Sequence, residues 1–315
     1  MNAPALPAPF PAAEGALPLD DWALIRAEGA DAAAFLHSQL TQDVEHLEPA
    51  AARLAGYCSA KGRLLASFVV WRPLPATVWL ACSADLLPAT LKRLSMFVLR
   101  AKCRLTDAGA ERRLYGLAGS GAAAWLGDAA PPAPWRVASI GDAQAIRLPD
   151  ACGTSRWLWA APREAAPPAL PALPPATWRW LEVASGVPRV VAATVEQFVP
   201  QMVNLELVGG VSFSKGCYPG QEVVARSQYR GTLKRRAYLY ATSTPAQAGQ
   251  EVYADGDASQ PAGMVVNAAS LDDSNGLALV ELKIAAAASA LHLGAPGGPP
   301  LRPLALPYPL PTETA

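Results

Sequence analysis

The chain has 315 residues, of which 26 are basic and 26 acidic, so its formal net charge is zero. That length holds about two or three domains with ample material for a core, and the charge balance argues against an extensive electrostatic coat on nucleic acid. Only 17% of residues are charged, yet no run of about 18 uninterrupted apolar residues appears, so no membrane span is expected.

Residues 1–18 are rich in Ala and Pro and lack the basic start and apolar run of a signal peptide; they read as a disordered tail. Residues 21–26 suggest a strand. A helix is expected from Asp31 as N-cap, burying Ala32, Phe35, Leu36 and Leu40 at helical spacing. Strand-like runs follow at 52–58, 64–72 and 77–82. A second helix is expected over 85–99, with Asp85 as a cap and Leu87, Leu91, Leu94 and Val98 as its stripe. A strand near 102–106 completes a small mixed sheet with a helix on one face.

The segment 112–160 reads as three strands around a short helix at 120–127. Its Gly119-Ser-Gly121-Ala-Ala-Ala124 run matches a loose dinucleotide fingerprint, but Pro131, Pro132 and Pro134 cut the helix short and no longer βαβ series supports it. A small-residue strand-to-helix turn is the plainer reading. Residues 162–175 form a Pro/Ala-rich surface connection. A helix at 177–185 ends at Gly186, with Trp178 and Leu181 turned inward and Glu182 either solvated or reaching into a cavity. Runs at 233–243, 250–254, 262–269 and 277–284 suggest a small closed barrel or sandwich, followed by a Pro-rich tail over the last dozen residues.

The most informative run is Lys215-Gly-Cys-Tyr-Pro-Gly-Gln-Glu222. A helix is expected over 220–228, and Pro219 suits its start, which places Cys217 or Tyr218 at the positive end of a helix. Lys215 adds a nearby ammonium. Both effects favour a thiolate, the nucleophilic and metal-binding form. The alternative is a tight loop shaped by Gly216, Pro219 and Gly220 around a small buried cysteine. The other cysteines (Cys58, Cys82, Cys103 and Cys152) are widely spaced and contain no Cys-x-x-Cys pair, which argues against a disulfide framework and fits a reducing cytoplasm. His37, His46 and His292 lack zinc-site spacing, so no metal site is expected.

Taken with its surroundings, this run resembles the signature of the YgfZ family of folate-binding, iron–sulfur-related tRNA-modification proteins. Phe35-Leu-His-Ser-Gln-Leu-Thr-Gln-Asp-Val44 is similar to the family's first-helix motif, and Tyr57-Cys-Ser-Ala-Lys-Gly-Arg63 to its next strand and turn. Phe198-Val-Pro-Gln201 and Asn204-Leu205 precede the cysteine motif, and Ala225-Arg226 and Tyr229-Arg-Gly231 follow it. The resemblance spans residues 20–285.

It implies an α+β, three-subdomain aminomethyltransferase-like (T-protein) fold around a central folate channel, with a C-terminal β-barrel. The implied boundaries are 19–46 plus 112–200 for a discontinuous first subdomain and 47–111 plus 201–231 for a ferredoxin-like second one. The barrel is implied over 232–305. The implied function is a folate-binding accessory protein that supports assembly or repair of iron–sulfur enzymes and, through a client, tRNA modification. Its ligand would be tetrahydrofolate or a derivative, and its partners iron–sulfur client proteins.

Cys217, assisted by Lys215, would be the working thiol at the channel mouth. Glu182 would meet the pterin edge, and Lys61 and Arg226 the acidic folate tail. Tyr218, Gln221 and Glu222 complete the candidate folate contacts. T-proteins carry an Asp pair in the strand after a Gly turn, whereas residues 62–71 here hold no carboxylate. Leu65 and Ala66 fall near the expected positions, and neither exchanges a proton. This argues against aminomethyl transfer and leaves open whether the chain is an enzyme. The alternatives are a one-carbon transferase with a displaced catalytic group, or a thiol enzyme using Cys217. Direct nucleic-acid binding is not expected: the basic cluster Arg230–Arg236 reads as the solvated edge of a strand.

Overall fold

The computed structural model describes residues 13–229, 233–255 and 259–311. In chain order the first elements are β1 (Gly15–Pro18), β2 (Trp22–Glu28), α1 (Ala32–Gln39), β3 (Ala52–Cys58), β4 (Leu64–Leu74) and β5 (Thr77–Ser83). Next come α2 (Leu87–Met96), β6 (Arg104–Asp107), β7 (Arg112–Ala118), α3 (Gly119–Leu126), β8 (Val137–Ile140), β9 (Ala143–Ala151) and β10 (Thr154–Pro162). Then follow α4 (Pro175–Ala184), α5 (Gln221–Tyr229), β11 (Arg235–Thr242) and β12 (Glu251–Ala254). The chain closes with β13 (Gly263–Ser270), β14 (Gly276–Lys283), β15 (Leu291–Leu293) and β16 (Pro300–Leu304).

These strands form two five-stranded sheets, ordered β1-β7-β10-β9-β8 and β3-β4-β5-β2-β6, and a closed six-stranded barrel. Neighbouring strands in both sheets are antiparallel, so the sheet expected to be mixed is not. Both faces of β4 are covered. Ala66 to Trp71 are therefore all buried, and the strand reads as one apolar run rather than an alternation. α4 is apolar on most sides for the same reason: Trp178, Trp180, Leu181, Val183 and Ala184 are buried between a sheet and the barrel. Gly116 permits this packing, since a Cβ there would stand 2.6 Å from the Trp178 ring.

Several expectations are corrected. Residues 15–18 are a strand paired with β7, not part of a tail. Residues 22–28, expected in the first subdomain, pair with β5 and β6 in the sheet of 52–83. Four strands, not three, occupy 112–162. Asp31 stands at the N-cap of α1 but makes no side-chain cap; its carboxylate accepts from the Lys102 amide at 2.7 Å. Asp85 likewise accepts from the Ala192 amide, 2.9 Å, rather than capping α2. The Pro-rich end is not free: Tyr308 donates to the Gly186 carbonyl at 2.8 Å.

The glycine-rich start of α3 already holds an anion. The Glu14 carboxylate accepts from the Ser120 and Gly121 amides, both at 2.8 Å, where a dinucleotide phosphate would sit. The hydrogen bond from Gly121 is the largest influence holding this carboxyl below its usual range.

Candidate functional site

A cavity partly open to solvent lies where the two sheets, α4 and the barrel meet. α4 starts at Pro175, whose fixed φ and missing N–H suit a first turn. It stops at Ser185, whose Oγ donates to the Glu182 carbonyl at 2.6 Å. Gly186 then adopts φ +66°, a left-handed conformation that favours glycine, and a Cβ there would meet the Tyr308 ring at 2.7 Å. This turn sends residues 187–190 back along the cavity wall. The segment is fixed from two sides. Asn267 of the barrel accepts from the Arg189 amide, 2.9 Å, and donates to its carbonyl, 2.8 Å. Ser67 of β4 accepts from the Val190 amide at 2.9 Å.

Glu182 lines the cavity with a side chain only 16% exposed. Its Oε1 accepts from Trp22 Nε1 at 3.0 Å, and its Oε2 lies 3.8 Å from Arg189. Arg189 also pairs with Asp21 at 2.8 Å and lies over the Trp22 ring. Burial pushes the Glu182 carboxyl above its usual range, with Arg189 opposing the rise. Glu182 is the one carboxylate among the described residues lining the cavity. Ser67, Phe68 and Val69 of β4 face it, and neither Leu65 nor Ala66 does. Arg156 of β10 also lines the wall, and its charge acts on Glu182.

The 215–222 run forms a second centre. Lys215 is buried, and its Nζ donates to the carbonyls of Leu40, 2.7 Å, and His37 at the end of α1. The ammonium therefore caps that helix, where a cation is favoured. It also lies 4.9 Å from the Tyr218 ring centroid. Burial lowers the Lys215 pKa to about 8, against the opposing pull of Asp43 and Cys217.

Cys217 is exposed. The following helix begins at Gln221, four residues later, so Pro219 is not its first residue and Cys217 is not at its N-terminus. Gly220, at φ +79°, packs its backbone directly on Gly62: a Cβ on Gly220 would meet Ser59 O at 2.4 Å and Gly62 N at 2.6 Å. The Tyr57–Arg63 turn and the cysteine run are thus one unit. His37 and His46, remote in sequence, come to the same place. His37 Nδ1 lies 3.0 Å from Asp43, which also binds His46, and His37 Nε2 faces Gly216. His292 sits instead in the barrel against Asp255.

Of the residues expected at the ligand, Glu182 alone lines the cavity. Lys61, Glu222 and Arg226 are exposed, Gln221 is half-buried and Tyr218 is buried, and none of the five is in its wall. Cys217 is not in that wall either. The basic cluster is partly neutralised: Arg235 pairs with buried Glu281, and Arg236 with buried Glu206. Arg230 and Gly231 lie outside the described residues. Trp22, Arg156, Arg189 and Asn267 were not marked by any motif, because each joins the site from a distant stretch of chain. Among the described residues no group of three or more His, Cys, Asp and Glu side chains could hold a metal ion, and no helix is long and apolar enough to cross a membrane.

No protein-family model matches the chain. The tRNA-modifying protein YgfZ of Edwardsiella ictaluri (strain 93-146) is 36% identical over 264 residues, covering 76% of this chain and 75% of that protein. The chain belongs to the YgfZ family. The signature run, its companion motifs and the cavity are therefore features of a YgfZ-family member. Among solved structures, the glycine cleavage system aminomethyltransferase T from Bartonella henselae matches with a TM-score of 0.75. The match covers 94% of this chain and 86% of that one at 19% identity, and it establishes an aminomethyltransferase-like fold with a C-terminal barrel for this YgfZ-family chain.

Proposed function

We propose that this chain is a folate-binding accessory protein whose activity supports tRNA modification through an iron–sulfur client enzyme. The observation that carries the folate part is the position of Glu182: a lone, nearly buried carboxylate in an otherwise largely apolar cavity walled by both sheets and the barrel. A pterin presents adjacent N–H donors on a flat ring, and a fixed carboxylate in such a wall is a suitable acceptor for them. Trp22 and Arg189 hold Glu182 in place. Among the described residues the lining holds no second carboxylate, which supports binding without aminomethyl transfer.

The accessory part rests on the relative's name and on the exposed Cys217 beside Lys215 and the His37–Asp43 pair. One thiol cannot hold an iron–sulfur cluster, so a partner supplies the remaining ligands or the acceptor thiol. The pairing of Arg235 and Arg236 with buried glutamates favours a client over direct RNA contact. Two measurements test the proposal. Tetrahydrofolate titrated into purified protein should bind, and Glu182→Gln should lose roughly 10- to 100-fold in affinity. Because the Glu182 pKa is raised, wild-type affinity should fall on mild acidification, before an ordinary carboxylate would protonate, and the variant should lack that dependence. In cells, Cys217→Ser should lower the activity of iron–sulfur client enzymes; unchanged activity would remove the thiol from the account.

A further inference from the structure

Among the described residues lining the cavity, Arg156 is the one with a fully buried side-chain nitrogen that has no hydrogen-bond partner. It projects from β10 with only 3% of its surface exposed. Nε donates to the Pro149 carbonyl at 2.8 Å, and the guanidinium lies 5.6 Å from the Trp178 ring centroid. Nη1 is buried with no hydrogen-bond partner. A buried charged donor left unpaired is costly, and native structures rarely keep one without a reason. Glu182, which feels the Arg156 charge, is already engaged with Trp22 and Arg189, so it does not complete the guanidinium. The wall therefore offers an acceptor at Glu182 and, within electrostatic reach of it, an unused donor at Arg156.

We infer that the Arg156 guanidinium, which lines the cavity and makes only the Nε hydrogen bond, is the donor for an oxo group of the cavity's ligand, so that the site reads a ring with an N–H edge next to a carbonyl. The inference rests on the folate reading and sharpens it: the chain selects 4-oxo pterins over 4-amino ones. A 4-oxo group accepts from the guanidinium, whereas a 4-amino group sets donor against donor. Apolar walls alone discriminate poorly between such close isosteres; a buried hydrogen-bonding group discriminates well.

The test compares tetrahydrofolate with its 4-amino counterpart, in the same oxidation state, by equilibrium titration. Wild type should prefer the oxo ligand by roughly 10- to 100-fold. Arg156→Met, of similar volume and without a donor, should weaken the oxo ligand, strengthen the amino ligand and bring the ratio close to one. If that variant does not fold, Arg156→Gln serves, because its amide can turn either its N–H or its oxygen to the ligand and should also narrow the ratio. A merely structural role would lower both affinities together and leave the ratio intact. That result, or a wild type without the oxo preference, overturns the inference while the folate reading stands. A wild type that binds neither ligand overturns both.

Discussion

Lys215 and Glu182 show how residue-scale environment redirects a side chain from its apparent task. Beside Cys217 in sequence, Lys215 reads as an activator of the thiol; in the fold it caps α1 through the His37 and Leu40 carbonyls. Lys215→Met should cost about 1–3 kcal/mol of stability, measured by denaturant unfolding, because it leaves those carbonyls without their donor. The pH dependence has a defined sign. Burial lowers the folded pKa from 10.5 to about 8, so the folded state sheds this proton before the unfolded state does. Stability linked to Lys215 should rise as pH climbs from about 8 to 10.5, and the variant should lack that slope. Glu182 was legible as a candidate because it lies one turn before a helix-ending glycine. Arg156 was not, because nothing local marks a strand arginine as half-satisfied.

Element by element, the sequence reading succeeded where periodicity or turn chemistry was strong. The expected helix at 177–185 is α4, and the four barrel runs at 233–284 correspond to β11 through β14. It failed where elements are short or carry proline. β1 and β15 have four and three residues, and β16 contains Pro300 and Pro303, which weaken a strand assignment. Pro219 misled in the other direction: its preference for a first helical position is general, but here it occupies the turn before α5. The turn depends on Gly220 more than on Pro219. Gly220→Ala should lose more than about 2 kcal/mol, since a Cβ would combine a left-handed φ with a backbone clash against Ser59 and Gly62. Thermal unfolding of that variant checks it; an unchanged midpoint would mean that the two turns are not locked together.

At the scale of the whole molecule, the cavity gathers residues from Trp22 to Ala268, and no local pattern announces a site assembled from such distant parts. Among the described residues its wall holds one carboxylate, Glu182, fixed by Trp22 and Arg189, and the incompletely bonded guanidinium of Arg156. The cavity and the signature run are two centres, since none of residues 215–222 is in the cavity wall. The ligand site and the thiol are therefore predicted to be independent in binding. The most direct test is a tetrahydrofolate titration of wild type, Glu182→Gln and Cys217→Ser side by side. The account predicts tight binding by wild type and Cys217→Ser alike, with affinity lost in Glu182→Gln alone. Binding that survives Glu182→Gln, or that disappears with Cys217→Ser, would contradict it.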